Sequence, residues 1–336
     1  MTLDNQKTEQ VKEISADGSF KRQTNRFTTP FGDGPDELPV EAGRYRLLWT
    51  AACPWAHRTV IVRNILGLDQ VISLGRVSPM RPRLPHVDWE FSLDENGVDP
   101  VLGIKYVSEI YLKTDPSYSG RPTVPVIVDI KKKEAVNNDY FKLTNHLQTA
   151  WVPFHKKNAP QLYPKDLRHE IDELNDVIFH DINNGVYKCG FARSQESYEN
   201  AYDQLFARLD QFEDRLSKQR FLFGDFITDS DIRLYSTLVR FDAAYFAAFR
   251  TNRNLIREFP NLWGYVRDLY QTPGFCDTTD FEAIKQHYFL SITIFTDKDE
   301  VKILPKGPDE SIWNTSHHRE KLSTHKDKFL IYKEED

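Results

Sequence analysis

Cys53 has the residue type and the position of a catalytic nucleophile. It follows the apolar segment 44–49 and directly precedes Pro54, which opens a helical pattern. Proline suits the first position of a helix, because its missing N–H would have no partner there in any case. A cysteine at this point lies beside unpaired helix N–H groups and the positive end of the helix dipole, which favour the thiolate and lower the pKa. We therefore predict a reactive thiolate, with a packed core cysteine as the alternative.

The sequence offers Cys53 no neighbouring thiol with which to close a disulfide. The fourth position of the Cys-x-x-Cys-like segment is Ala56, and the other two cysteines, Cys189 and Cys276, lie far along the chain. Free cysteines are usually small core residues, and we expect this of both. Any disulfide formed at Cys53 would then be resolved by a thiol from solution. His57, one helical turn on, either tunes the cysteine or is a surface or capping histidine.

The apolar pattern predicts a βαβ opening followed by a helical second half. We expect strands at 44–49, 70–75 and 121–129, and helices at 54–66, near 104–114 and from about Asp139. Residues 76–103 form an irregular insertion. Thr228 and Asp231 have the spacing of a helix capping box, and Asp242 is expected to be a buried carboxylate with a structural role. The predicted organisation is an N-terminal extension at 1–42, a first domain at 43–150, an all-helical domain at 151–290 and a tail at 291–336.

Composition indicates a folded, intracellular protein. The chain has 336 residues, of which 40% are hydrophobic and 13% aromatic, enough for substantial cores. Its 44 basic and 50 acidic residues give a net charge of −6, which argues against nucleic acid or an anionic membrane as partner. No apolar run suits a membrane span or a signal peptide, and three cysteines fit a reducing compartment. We expect a cytoplasmic protein.

Val124-Pro125, about seventy residues after Cys53, resembles the cis-proline site of thioredoxin-like domains. A cis X-Pro bond would turn the backbone of Val124 outward, so that it pairs like a strand with an incoming peptide. The resemblance implies a thioredoxin-like α/β N-terminal domain followed by an all-α domain, which is the glutathione transferase fold.

Further motifs resemble the Xi class of that superfamily, the glutathionyl-hydroquinone reductases. The match extends from about residue 26 to 308 and is carried by short segments at 52–59, 88–91, 121–126, 183–191, 228–242, 260–265 and 284–288. The resemblance implies that Cys53 attacks the sulfur of a glutathione joined to a hydroquinone ring, releases the hydroquinone and keeps the glutathione as a mixed disulfide. A second glutathione, the co-substrate, then frees the enzyme.

The same resemblance assigns roles to the residues around Cys53. Trp89 packs on glutathione, Arg121 lies near its carboxylate, and Val124 pairs with its cysteinyl backbone. Asn138 and Asp139 hold its γ-glutamyl end, although Tyr140 replaces a small serine there, so that glutathione binding is weaker or another thiol is preferred. The catalytic set is completed by two hydroxyls that line the hydroquinone pocket, those of Tyr187 and Tyr288. Each aromatic has the alternative of a core or rim residue, and Arg121 that of a solvated charge.

The sequence is compatible with two other functions. An omega-type thiol transferase or dehydroascorbate reductase would use the same cysteine on smaller disulfides, although the large pocket aromatics favour an aromatic substrate. A non-catalytic ligand-binding or partner-binding protein would leave Cys53 idle. The resemblance also implies a homodimer. We predict no metal site, since the tail histidines have no carboxylate or cysteine framework.

Overall fold

A four-stranded mixed sheet forms the centre of the first half of the chain. The computed structural model describes residues 13–81, 87–291 and 302–331. The strands are β1 (Tyr45–Trp49), β2 (Ile72–Arg76), β3 (Val126–Asp129) and β4 (Glu134–Asn137). Their order is β2-β1-β3-β4, with β2 parallel to β1 and the other two pairs antiparallel. Residues of β1 and β3 are buried throughout, as their apolar runs predict.

Within the described ranges, three α-helices accompany the sheet and seven follow it. The first three are α1 (Pro54–Ile65), α2 (Val107–Thr114) and α3 (Leu143–Thr149). The later ones are α4 (Arg168–Val177), α5 (Gly185–Phe191), α6 (Gln195–Lys218), α7 (Asp229–Arg240), α8 (Phe246–Ala248), α9 (Pro260–Tyr270) and α10 (Phe281–Lys285). π-helical turns precede α5, follow α7 and follow α10, at Ile178–Asn183, Phe241–Tyr245 and Gln286–Ser291. None of the helices within the described ranges is long and apolar enough to cross a membrane.

The predicted elements are present with shifted ends. The expected strand at 121–129 begins at Val126, because residues before the cis peptide bond of Pro125 do not pair with the sheet. The helix expected from Asp139 begins at Leu143, since the Asp139 carboxylate first accepts two backbone N–H groups in a turn. The capping box at α7 is confirmed: the Asp231 carboxylate accepts from the backbone and hydroxyl of Thr228 at 2.8 and 2.9 Å.

The N-terminal extension packs on both halves of the molecule. Phe20 forms an edge-to-face pair with Phe191 of α5, at 5.1 Å between ring centroids. Farther along, the backbone of Phe27 donates to Asn138 after β4, and Thr28 forms a bridge with Asn137. The extension therefore spans the first half of the chain and the helical half. The domain limits at 42/43, 150/151 and 290/291 stay predictions.

Candidate active site

Cys53 lies in the wall of a cavity of about 390 Å³ built from four parts of the chain. The N-terminal extension, the sheet half, the 76–103 insertion and the helical half each contribute side chains. Of the eight residues predicted for the site, six line this cavity: Cys53, Trp89, Arg121, Val124, Tyr187 and Tyr288. Asn138 and Asp139 are not among its lining residues. The insertion supplies Arg81, Val87 and Trp89, so its described part forms one wall.

The backbone places the thiol at the start of α1. Cys53 is the N-cap residue, with extended φ and ψ angles, and Pro54 occupies the first helical position. The Sγ atom lies 3.3 Å from the carbonyl oxygen of Val124, to which the thiol donates. The peptide bond between Val124 and Pro125 is cis, as the thioredoxin-like resemblance implies. The start of α1 and the cis-proline turn, about seventy residues apart in the sequence, thus meet at the Cys53 sulfur.

The predicted lowering of the Cys53 pKa is wrong. Cys53 is 7% exposed, and burial raises the pKa of its thiol. The backbone N–H groups of Ala56 and Trp55 and the charges of Arg240 and Arg22 lower the pKa, but burial outweighs them. The helix effect was predicted in the right direction. The sequence did not show that other parts of the chain would cover the sulfur and remove it from water.

Arg240 of α7 fixes the turn that carries Cys53. Its guanidinium donates to the carbonyl oxygens of Ala51 and Ala52, at 2.7 and 3.1 Å, and lies 3.1 Å from Nδ1 of His57. His57 is fully buried, and burial beside this cation holds its pKa well below the usual value. The prediction of a surface or capping histidine is therefore wrong. A neutral His57 accepts from Arg240 and donates from Nε2 to Thr278, 2.9 Å away.

Three tyrosine hydroxyls form a chain beside the cavity. The hydroxyl oxygens of Tyr187 and Tyr288 are 2.6 Å apart, and Tyr245 lies 3.1 Å from Tyr288. Burial raises the pKa of each phenol, so all three stay protonated at neutral pH. Tyr245 and Tyr288 lie on separate π-helical turns, which often occur at functional sites. A protonated phenol in this wall can donate to a substrate oxygen.

The Trp89 indole packs against His287 and Arg81 in the cavity wall. His287 stacks on the indole at 5.3 Å, and the Arg81 guanidinium lies 4.6 Å from the ring centroid. The indole Nε1 and Arg81 Nη2 are buried and have no hydrogen-bond partner within the described residues. Unpaired buried donors are costly, so these two N–H groups mark a place where a polar ligand is expected.

Arg121 carries an ion pair with the N-terminal extension. Its Nη2 lies 3.0 Å from a carboxylate oxygen of Glu13, and its backbone carbonyl accepts from the Gln23 amide at 2.8 Å. Both charged side chains are half-buried, and both line the cavity. The alternative of a freely solvated arginine is therefore wrong.

Asn138 and Asp139 lie beside the cavity in bonds to other parts of the chain. Asn138 is 1% exposed; its side chain accepts from Phe27 and donates to Tyr111 and Thr123. An Asp139 oxygen accepts from Asn25 at 3.1 Å. Tyr140, the residue that departs from the family pattern, is the one that lines the cavity, and its ring packs against Trp55 at 5.1 Å.

Sequence reasoning missed the contribution of the extension. Glu13, Phe20, Arg22, Gln23 and Asn25 all line the cavity, yet their segment has no apolar periodicity that would place it on a partner surface. Arg240 was also missed. Its signal, an arginine at the end of a well-capped helix, is common to many helices.

The fold and the site together define a cysteine-dependent transferase of the glutathione type. Family models for the glutathione S-transferase N-terminal and C-terminal domains match residues 52–150 and 195–268. The chain is 39% identical over 286 residues to glutathionyl-hydroquinone reductase YqjG of Escherichia coli, covering 82% of this chain and 86% of the relative. The glutathione-bound structure of YqjG superposes with a TM-score of 0.77 at 37% identity, covering 90% and 98% of the two chains.

Two further solved structures of glutathione transferases are similar to this chain. A glutathione transferase from Gordonia bronchialis is 50% identical with a TM-score of 0.81, covering 89% of this chain and 90% of the other. The Xi glutathione transferase of Phanerochaete chrysosporium is 39% identical with a TM-score of 0.82, covering 89% and 95%. The chain therefore belongs to the glutathione transferase superfamily and to its Xi class, which confirms the predicted family and fold class.

Proposed function

We propose that this protein is a glutathionyl-hydroquinone reductase that uses Cys53 as its nucleophile. The observation that carries the proposal is that the Cys53 thiol and the paired hydroxyls of Tyr187 and Tyr288 line one cavity. A thiol alone would serve any disulfide exchange. A thiol together with neutral phenols and aromatic walls suits a sulfur that is bonded to an oxygenated ring.

Two exchange steps complete the reaction. Cys53 attacks the glutathionyl sulfur, the bond from that sulfur to the ring carbon breaks, and a Cys53–glutathione disulfide forms. The proton lost by the thiol balances the proton gained by the ring, so free hydroquinone leaves. Glutathione from solution then attacks the mixed disulfide, which restores the thiol and releases glutathione disulfide. Neither Cys189 nor Cys276 lines the cavity, so the second thiol comes from outside the chain.

Different walls of the cavity bind the glutathione moiety and the hydroquinone ring. Val124, Trp89, Arg81 and Arg121 offer polar groups to the glutathione moiety. Tyr187 and Tyr288 donate to oxygens of the ring and stabilise the charge that develops there. Tyr245, hydrogen-bonded to Tyr288, holds that hydroxyl in position and extends the chain along which a proton can move.

Release of free hydroquinone from glutathionyl-menadiol, in the presence of glutathione, tests the proposal. We expect release by the wild-type protein and none by Cys53→Ser. Cys276→Ser is the matched control, because Cys276 is half-buried and outside the cavity lining. No release with any thiol, but rapid reduction of small mixed disulfides, would favour the omega-type transferase. Failure of both reactions would favour a binding protein.

The surroundings of the enzyme follow from its chemistry. Its three cysteines are unpaired, as a reducing compartment requires, and we place the enzyme in the cytoplasm. The reductase acts on small-molecule thiols and aromatic conjugates and needs no metal. The homodimer implied by the resemblance stays a prediction, which light scattering at micromolar concentration tests.

A further inference from the structure

Arg22 of the N-terminal extension reaches into the wall of the Cys53 cavity. Its Nε donates to the side-chain oxygen of Asn184, 3.0 Å away, just before α5. The guanidinium carbon lies 4.7 Å from the ring centroids of both Trp55 and Tyr187. This hydrogen bond and these two cation–π contacts hold the group between the helix that follows Cys53 and the helix that carries Tyr187.

One terminal nitrogen of this arginine has no hydrogen-bond partner in the part of the chain that the structure describes. Arg22 Nη2 is buried and makes no hydrogen bond within the described residues. Buried polar groups are nearly always hydrogen-bonded, and an unpaired charged donor is especially unfavourable, so this atom points to a place where a ligand binds. The charge also acts on the reactive groups, because it lowers the pKa of both the Cys53 thiol and the Tyr187 phenol.

We propose that Arg22 is a catalytic residue, supplied by the N-terminal extension, that donates from Nη2 to the hydroquinone oxygen gaining negative charge as the carbon–sulfur bond breaks. This inference rests on the proposed function and goes beyond it by naming a third group, besides Tyr187 and Tyr288, that stabilises the leaving ring. A phenolate bound by a guanidinium in a buried site forms a strong, charge-assisted hydrogen bond.

The electron count places negative charge on a ring oxygen, where such a donor can act. In the keto tautomer of the conjugate, a hydroxyl proton has moved to the ring carbon that bears sulfur. When Cys53 forms its disulfide, the pair from the broken carbon–sulfur bond enters the ring and comes to rest on the neighbouring oxygen as phenolate. Arg22 binds that oxygen until a proton arrives along the Tyr187–Tyr288 chain. Leaving groups that depart as thiolates place no charge on a ring oxygen.

Asn184 is the positioning residue for Arg22. Cation–π contacts fix the distance of a guanidinium from a ring but leave its rotation free, whereas the Nε bond to Asn184 sets the direction of Nη2. Asn184→Leu removes the acceptor at similar volume. We expect it to lower kcat for hydroquinone release about tenfold with little change in KM, and to add little to the loss caused by Arg22→Gln.

The test measures the single-turnover rate of each variant with two substrates. One is glutathionyl-menadiol, and the other is the mixed disulfide of glutathione and 2-mercaptoethanol. Loss of the Arg22 charge affects Cys53 equally with both, so the ratio of the two rates isolates the effect on the ring oxygen. We expect Arg22→Gln to lower hydroquinone release about 100-fold, in the range found for loss of one oxyanion donor, and disulfide cleavage less than about fivefold.

Arg26→Gln is the matched control. Arg26 lies on the same extension, but its side chain is 58% exposed, pairs with Asp115 and is not among the lining residues of the cavity. We expect wild-type rates from it. Equal losses on the two substrates by Arg22→Gln, or no loss at all, would overturn the role of Arg22 while leaving the reductase function intact. A wild-type protein that releases no hydroquinone would instead refute the proposed function.

A second variant, Arg22→Lys, tests the proposal if Arg22→Gln does not fold stably. If Arg22→Gln unfolds on heating far below the wild type, Arg22→Lys retains the cation but not the planar donor. Across conjugates of hydroquinones with increasingly acidic hydroxyls, we expect the rate of Arg22→Lys to approach that of the wild type, because an acidic phenolate needs less stabilisation. A deficit that is the same for every conjugate would contradict the proposal.

Discussion

Glu13 and Arg121 form an ion pair across the wall of the Cys53 cavity, with 3.0 Å between the carboxylate oxygen and Nη2. Arg121 is the residue expected to meet a carboxylate of glutathione. The extension therefore supplies a carboxylate at the place where the ligand would bring its own. Glutathione must displace Glu13 or share Arg121 with it.

Glu13→Gln should strengthen glutathione binding. Both partners are partly exposed, so the pair is worth at most about 1 kcal/mol, and we expect a two- to fivefold lower Kd by calorimetry. Glu41→Gln is the control, because Glu41 pairs with Lys131 and is not among the lining residues of the cavity. Weaker binding by Glu13→Gln would show that Glu13 holds Arg121 in place for the ligand.

The reactivity of Cys53 toward iodoacetamide should rise steeply with pH in the ligand-free protein. Burial raises the pKa of this thiol, so the thiolate is the minor form at neutral pH and increases through the alkaline range. Mass spectrometry of the Cys53 peptide gives the rate at each pH, with Cys276 as a comparator in the same sample. A rate that already reaches its plateau below neutral pH would show that the helix dipole and the two arginines outweigh burial.

How far the site could be predicted depended on whether a residue belongs to a regular element. Cys53, Pro54 and the capping box of α7 were recognisable because a helix start has its own local chemistry. Arg22 and Glu13 were not recognisable, because their segment reaches the cavity through distant contacts. Arg22 contacts Asn184, 162 positions away, and Glu13 contacts Arg121, 108 positions away. The Cys53 thiol is likewise buried and contacts Val124, 71 positions away, which is why the direction of its pKa shift was also missed.

Tyr288→Phe should cost more activity than Tyr245→Phe. Tyr288 lines the cavity and is bonded to both other hydroxyls, whereas Tyr245 is fully buried and acts through Tyr288. We expect about a 100-fold loss of kcat for the first and about tenfold for the second, with KM for the conjugate little changed. Steady-state kinetics of hydroquinone release measure both. Equal losses would mean that the chain works as a unit rather than through Tyr288.

Tyr140→Ser should improve the use of glutathione. The Tyr140 ring fills part of the cavity wall against Trp55, at the position where the resemblance implies a serine. We expect a severalfold lower KM for glutathione, because a serine can donate to the γ-glutamyl end and opens space for it. Tyr140→Phe, which keeps the ring, should behave like the wild type. If the two variants are alike, the ring does not limit thiol choice.

Stability should fall as the pH drops from about 7.5 to 5, in part because of His287. Its Nδ1 lies 2.7 Å from the Pro79 carbonyl, and burial lowers the pKa of the imidazole to about 3. The unfolded chain takes up a proton near pH 6.5 while the folded chain does not, so the free energy of unfolding decreases below that pH, by about 2 kcal/mol at pH 5. Urea unfolding at both pH values should show this decrease. The decrease in the free energy of unfolding should be about 2 kcal/mol smaller in His287→Gln than in the wild type. It should be the same as in the wild type in His169→Gln, because the His169 side chain is 83% exposed. The same pH dependence in all three proteins would show that His287 protonates without unfolding the chain.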